Sequence, residues 1–301
     1  MLKVKPVSSR TAHGYVQVGV ECYGGGLWHT WFDRDLTLAG CVVLEEEGSF
    51  VRRLVNIKRP ILRVPSLCIH LQSADERASF APNKETNLQP ILAMVETDLN
   101  TEKKVDNERY DKRHCSQLLS LLCEELKCEP EQIKDLELTL CDTQEGAVWG
   151  AGNEFLSSPR LDNQVHCYTG LSALLDHSKD ISQDTGVSML VCFDHEEIGS
   201  DSAQGAGSPI MSEAISRVVG CFDTSDEMLK VTIRKSFLVS ADVAHALHPN
   251  YDHKHEKNHQ PILNKGTVIK TNQNQRYATN AETGFLLREL ARRAQVPVQV
   301  R

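Results

Sequence analysis

The second half of the sequence narrows the fold most. There, short apolar runs at 188–193, 236–241 and 267–271 alternate with segments of helical periodicity at 163–177, 212–222 and 279–294. Such alternation points to a layered α/β domain. Asn280, followed by A-E-T-G-F-L-L-R-E-L-A-R-R-A, reads as a capped helix with its basic residues late, where the macrodipole favours them.

An α/β domain displays functional groups at strand ends and in the turns that open helices. Three acidic positions fall there: Asp162 in S-P-R-L-D-N-Q, the pair Glu196 and Glu197 in F-D-H-E-E-I-G-S, and Asp242 in F-L-V-S-A-D-V-A-H-A. Taken singly, each is an ordinary surface pair, turn or helix cap. Their joint placement on three consecutive units carries the signal, because carboxylates converging from separate strand ends repel unless positive charge lies among them. Two divalent metals supply that charge, with one carboxylate bridging, others binding terminally and a free one acting as a base toward water. Glu196 and Glu197 leave a strand in different directions and divide the roles of base and ligand, with His195 beside Glu197 or supporting it.

The first half has another texture. Runs such as Y-V-Q-V-G-V-E, L-T-L-A-G-C-V-V-L and R-P-I-L-R-V-P-S-L-C-I-H-L, over about residues 10–72, alternate with period two and predict antiparallel strands. Residues 73–113 are polar and predict a long surface loop. Leu118, Leu119, Leu122 and Leu126 mark an amphipathic helix, and L-E-L-T-L-C-D a further strand before a glycine-bearing turn at 146–152.

A net charge of -8 with scattered basic residues argues against nucleic acid or an anionic membrane as partner. No apolar stretch reaches the ~20 residues of a membrane span, and M-L-K-V-K-P lacks the apolar core of a secretion signal, so a soluble cytoplasmic protein is expected. Ten cysteines without C-x-x-C spacing, including Cys141, Cys167 and Cys192 within apolar runs, predict reduced, buried thiols and no cysteine-built zinc site.

His245, His248, His253, His255 and His259 crowd one stretch. His245 follows Asp242 by three residues and shares its face if the segment turns helically, whereas His253, His255 and His259 read equally as a solvated loop. S-D-S-A-Q-G-A-G-S-P lacks the lysine of a phosphate-binding loop and reads as flexible backbone. Ser200 and Ser208 have no base partner visible in sequence, and 6% aromatic content leaves few platforms for a sugar.

Together, V-G-V-E-C-Y-G-G-G-L-W-H-T-W-F-D-R-D-L-T-L-A-G, P-S-L-C-I-H-L-Q, S-P-R-L-D-N, F-D-H-E-E-I-G-S-D-S-A-Q-G-A-G-S-P, S-A-D-V-A-H-A-L-H-P-N-Y and G-T-V-I-K-T-N-Q-N-Q-R-Y-A-T-N resemble the aspartyl aminopeptidase family of dinuclear zinc exopeptidases along nearly the whole chain. The resemblance implies a zinc-exopeptidase-like α/β catalytic domain at 151–301, with 1–8 as its N-terminal remnant, and an inserted β-rich assembly domain at 9–150. It implies two Zn²⁺ per subunit, bridged by Asp162 and held terminally by Glu197 and Asp242, with Glu196 as general base. The implied substrate is a peptide with N-terminal Asp or Glu. Lys270 receives the acidic side chain, His248 joins the substrate pocket, and His70 reaches a neighbouring subunit's active site within a homo-oligomeric dodecamer.

Two histidine ligands of the family, in an H-T-D-S-P motif upstream and an M-H-S segment downstream, have no counterpart in these 301 residues. The expectation is therefore a truncated chain with a carboxylate-only site, shifted toward harder ions such as Mn²⁺ or Mg²⁺, and exposed apolar surface. The alternative function is a catalytically inactive subunit that keeps the assembly surface.

Overall fold

The computed structural model describes residues 1–95 and 112–301 in two compact units, Met1–Pro159 with Val191–Ser236 and Arg160–Leu190 with Phe237–Arg301. The first unit is built on a six-stranded antiparallel sheet. Its strands are β1 (Leu2–Ala12), β2 (Tyr15–Cys22), β3 (Leu36–Glu46), β4 (Ser49–Asn56), β5 (Ile91–Met94) and β6 (Ile133–Asp142), in the order β4-β3-β6-β1-β2-β5. Alternation sorts the side chains by face: Val16, Val18 and Val20 of β2, Leu36, Leu38, Val42 and Leu44 of β3, and Leu138 and Leu140 of β6 are all buried in one cluster.

The expected loop at 73–113 contains two elements. A short helix α1 (Ala74–Ala78) starts from a reciprocal cap in which Ser73 Oγ accepts from the Glu76 N–H and Glu76 accepts from the Ser73 N–H. β5 then joins the sheet edge beside β2. Residues 96–111 lie outside the described residues. The amphipathic helix follows as α2 (Ser116–Leu126), whose Leu118, Leu119 and Leu122 close the cluster over the sheet.

Three further expectations change. R-P-I-L-R-V-P-S-L makes only isolated bridges, Phe32 with Val64, Leu36 with Leu62 and Arg63 with Ile91, because Pro60 and Pro65 remove the donors that a continuous ladder needs. β1 pairs Leu2 with Cys22 and Lys3 with Thr139, so the sheet of the expected 9–150 domain takes in residues 2–8 as well. No disulfide joins the cysteines, but Cys192 is exposed and Cys141 and Cys167 are only half-buried.

The first unit also holds a hairpin of β7 (Ala147–Trp149) and β8 (Phe155–Ser157), closed by Trp149 stacked on Phe155 at 4.5 Å, and helices α4 (Ile210–Gly220) and α5 (Asp226–Lys235). The α5 helix escaped the sequence reading because its apolar stripe is thin. Its ends are the signal: Ser225 caps the Met228 N–H, Asp226 and Glu227 open it, and Arg234 and Lys235 close it.

The second unit carries α3 (Leu161–His177), a parallel ladder of β9 (Thr267–Ile269) with β10 (Val298–Val300), and α6 (Ala281–Arg293) capped by Asn280 as its sequence dictates. The expected strands at 188–193 and 236–241 are irregular segments rather than strands. A strand exists only as a member of a ladder, and neither run pairs among the described residues. Their apolar side chains stay open: Met189 is 42%, Leu238 72% and Val239 58% exposed.

Leu122 makes no contact with solvent in this core. Leu122→Ala is expected to destabilise the chain by about 2–5 kcal/mol, read as a lower guanidinium midpoint with an unchanged slope.

Candidate active site

F-D-H-E-E-I-G-S folds as a tight turn on the first unit. A 3₁₀ turn spans Glu196–Ile198, flanked by positive φ at His195 (+61°), Gly199 (+103°) and Ser200 (+66°). The turn therefore departs from strand geometry, and the two glutamates diverge by helical rotation rather than by strand alternation. The following segment folds back onto it and is not slack backbone. Asp194 N–H donates to Gln204 O at 2.9 Å, Gly207 N–H donates to Ser200 O at 3.0 Å, and His195 Nδ1 meets Ser202 Oγ at 2.6 Å.

The sheet reaches this turn through the exit of β2. Gly24 has φ +72°, and a Cβ there would lie 2.8 Å from the Glu197 carbonyl oxygen. The Tyr23 ring lies 6.1 Å from the His195 ring. Burial, followed by the charges of Asp194, Glu197 and Glu196, pushes the Tyr23 hydroxyl above its ordinary pKa, so the phenol senses a concentrated negative potential.

On the second unit, α3 opens irregularly. Asp162 and Asn163 have non-helical backbone angles, so the regular helix begins after them. His166 Nδ1 contacts Asn163 Oδ1 at 2.5 Å, and Asn163 Nδ2 donates to Ala241 O at 2.6 Å. This chain of contacts ties the turn to the segment carrying Asp242. The Asp162 carboxyl then hydrogen-bonds Asp242, while Lys270 Nζ donates to Asp242 Oδ2 at 2.5 Å. Partial burial acts to raise the Asp242 carboxyl, but Lys270 and Asp162 outweigh it and hold it below the usual carboxylate range. Lys270 also lies 5.4 Å from the Tyr277 ring centre.

Two carboxyls this close repel unless positive charge lies between them, and aspartate oxygens are ordinary zinc donors. The pair therefore fits part of a metal site in kind. Among the described residues, no three His, Cys, Asp or Glu side chains are gathered to hold an ion. Asp162, Glu196, Glu197 and Asp242 are all exposed, so water screens them and costly burial of charge does not operate here.

The remaining candidates are dispersed. His248 is exposed and packs edgewise on Tyr251 at 4.9 Å. His70 sits in an exposed 3₁₀ turn at Ile69–Leu71. The segment after Asp242 does not turn helically. Instead, His245 meets Arg301 at 3.0 Å and faces the His255 ring at 5.4 Å. Sequence reasoning missed Asn163 and His166 as positioning residues, although an amide beside Asp162 and an imidazole three residues further on were visible in L-D-N-Q-V-H.

Residues 1–301 match the family Aminopeptidase I zinc metalloprotease (M18). The chain is 46% identical over 323 residues to the probable aspartyl aminopeptidase of Ricinus communis, covering 99% of this chain and 66% of that protein. Over 99% of its length it superposes on the cryo-EM structure of the Ape4 and Nbr1 complex with a TM-score of 0.91 at 43% identity, covering 58% of that chain. The structure of the S. cerevisiae mApe1 dodecamer matches with a TM-score of 0.82 at 30% identity, over 99% of this chain and 65% of that one. These matches define the class as a mixed α/β zinc-peptidase fold. The chain belongs to the M18 aminopeptidase I zinc metalloprotease family, and it spans 66% of the length of its Ricinus relative.

Gly24→Ala is expected to cost about 1–2 kcal/mol through its left-handed backbone alone, with a further loss from displacing Glu197, measured by denaturant unfolding. Asn163→Ala is expected to weaken Zn²⁺ binding to the full chain by about 10–100-fold, measured by equilibrium dialysis, with helix content unchanged by circular dichroism.

Proposed function

We propose that this chain carries the catalytic carboxylates of a zinc-dependent aminopeptidase that removes N-terminal aspartate or glutamate from peptides. The observation that carries the reading is the Asp162 and Asp242 pair seated beside Lys270, in a chain whose Ricinus relative is named for that activity. Asp162, Glu197 and Asp242 would hold the metal, and such an all-oxygen set would also suit Mn²⁺. When bound, zinc supplies a Lewis acid that polarises the scissile carbonyl and acidifies water.

Glu196 takes the proton from the attacking water and delivers it to the departing amine, acting first as general base and then as general acid. Lys270, whose side chain is 16% exposed, offers its ammonium to the acidic side chain of the substrate, which competes with Asp242 for it. His248, exposed beside Tyr251, would add a further contact to the substrate.

His70 acts in an assembly of copies. Its neighbours Leu67, Ile69 and Leu71 are 50%, 61% and 71% exposed, an apolar patch of the kind that another subunit covers. A homo-oligomer, dodecameric as in the mApe1 structure, accommodates this, with the sheet region of 9–150 providing contacts. A cytoplasmic location is part of the same reading, and no helix among the described residues is long and apolar enough to cross a membrane.

The full chain, supplied with Zn²⁺, is expected to release aspartate from a chromogenic aspartyl amide and to lose that activity with a chelator. Glu196→Gln lowers kcat by about 10²–10⁴-fold, and Lys270→Met lowers the preference for aspartyl over alanyl substrate by about tenfold or more. Metal uptake and assembly without turnover would instead mark an inactive subunit.

A further inference from the structure

Helix α2 ends in a motif that brings two cysteines together. Lys127 adopts the left-handed conformation with φ +56°, and the Cys128 N–H returns to the Cys123 carbonyl at 3.2 Å. This type of helix end places the side chains on either side of the reversal in contact. In most helices that contact is between two hydrophobic groups. Here it is between two thiols, each of which shifts the other's ionisation, Cys123 upward and Cys128 downward.

The two sulfurs differ in access. Cys128 lines an open cavity of 620 Å³ together with Glu46, Glu47, Lys127 and Gln132. Both side chains are half-buried against the hydrophobic cluster, and Cys128 is the one of the two that lines the cavity.

We propose that Cys123 and Cys128 form a modification site for low-molecular-weight disulfides, in which Cys128 receives the incoming sulfur and Cys123 resolves it. The Cys128 thiolate attacks one sulfur of the small disulfide, whose S–S bond breaks and releases the first thiolate, leaving a mixed disulfide on Cys128. Cys123 gives up its proton and attacks the Cys128 sulfur, expelling the second thiolate. The two protein thiols lose two electrons and two protons, and the small disulfide is reduced to two thiols.

The order of attack follows from access, since Cys128 lines the cavity, and the mutual influence of the thiols, which favours negative charge on Cys128 and opposes it on Cys123, acts in the same direction. Burial, and then Cys128 itself, push the Cys123 thiol up to about 12. Once Cys128 is capped it no longer bears a charge, so its repulsion of a Cys123 thiolate ends just when that thiolate is needed. The helix end that sets the two side chains on either side of one reversal then favours closure over release. Burial also raises Cys128, so the first step is slow at neutral pH and accelerates as pH rises.

The test incubates the full chain with glutathione disulfide at mildly alkaline pH until exposed Cys68 and Cys221 carry adducts, followed by acid quench and non-reducing tryptic mapping. Lys127 separates the two cysteines, so closure yields peptide His114–Lys127 joined to Cys128–Lys134, lighter by two hydrogen atoms than the separate peptides. Fragmentation assigns the link to Cys123 rather than Cys115. Cys123→Ala is expected to trap the glutathionyl group on Cys128, and Cys128→Ala to leave Cys123 unmodified. An unmodified Cys128 in the wild-type chain, or a lasting Cys128 adduct that Cys123 never displaces, would overturn the proposal.

Discussion

One face of the six-stranded sheet is sealed by α2, and the first unit rests on that closure. Leu36, Leu38, Leu138, Leu140, Leu118 and Leu122 are fully buried in one cluster, each contributing about 1.5–3 kcal/mol of transfer free energy as an upper estimate. The register so enforced admits little slip, because moving a strand by one residue would turn its leucines outward. Fixed register in β2 in turn fixes where the chain leaves the sheet, at Tyr23 and Gly24, the two residues that meet the turn holding Glu196 and Glu197.

The second unit is organised by charge more than by burial. Ile269, Ala291 and Pro261 are its buried apolar side chains among the described residues, while its best-defined polar feature is the run from His166 through Asn163 to the segment of Asp242, with Lys270 closing it. A carboxyl pair of this kind is sensitive to whatever positive charge lies nearby, and the Lys270 ammonium bonded to Asp242 already supplies part of it. The same carboxylates are exposed, so the energetic pressure toward a cation comes from their mutual proximity and not from a dry environment.

Much of this was legible in the sequence. Period-two alternation found the central strands, and helical periodicity or capping residues found α2, α3, α4 and α6. Asp162 and Asp242 were singled out by position in their motifs, and they do meet; Glu196 and Glu197 were singled out likewise and do share a turn. What the pattern hid has physical causes. Pro60 and Pro65 broke a run that otherwise alternates like a strand. The runs at 188–193 and 236–241 have strand composition, but composition cannot supply the neighbouring strand that a ladder requires. Asn163 and His166 act through hydrogen bonds whose partners are distant in sequence, and Tyr23 acquires its surroundings only when the end of β2 is brought to the 193–209 segment.

The close approach of Gly24 to the backbone of Glu197 makes the sheet and the acidic turn mechanically continuous. With no side chain between them, the path of the chain out of β2 sets where the backbone of Glu197 can lie.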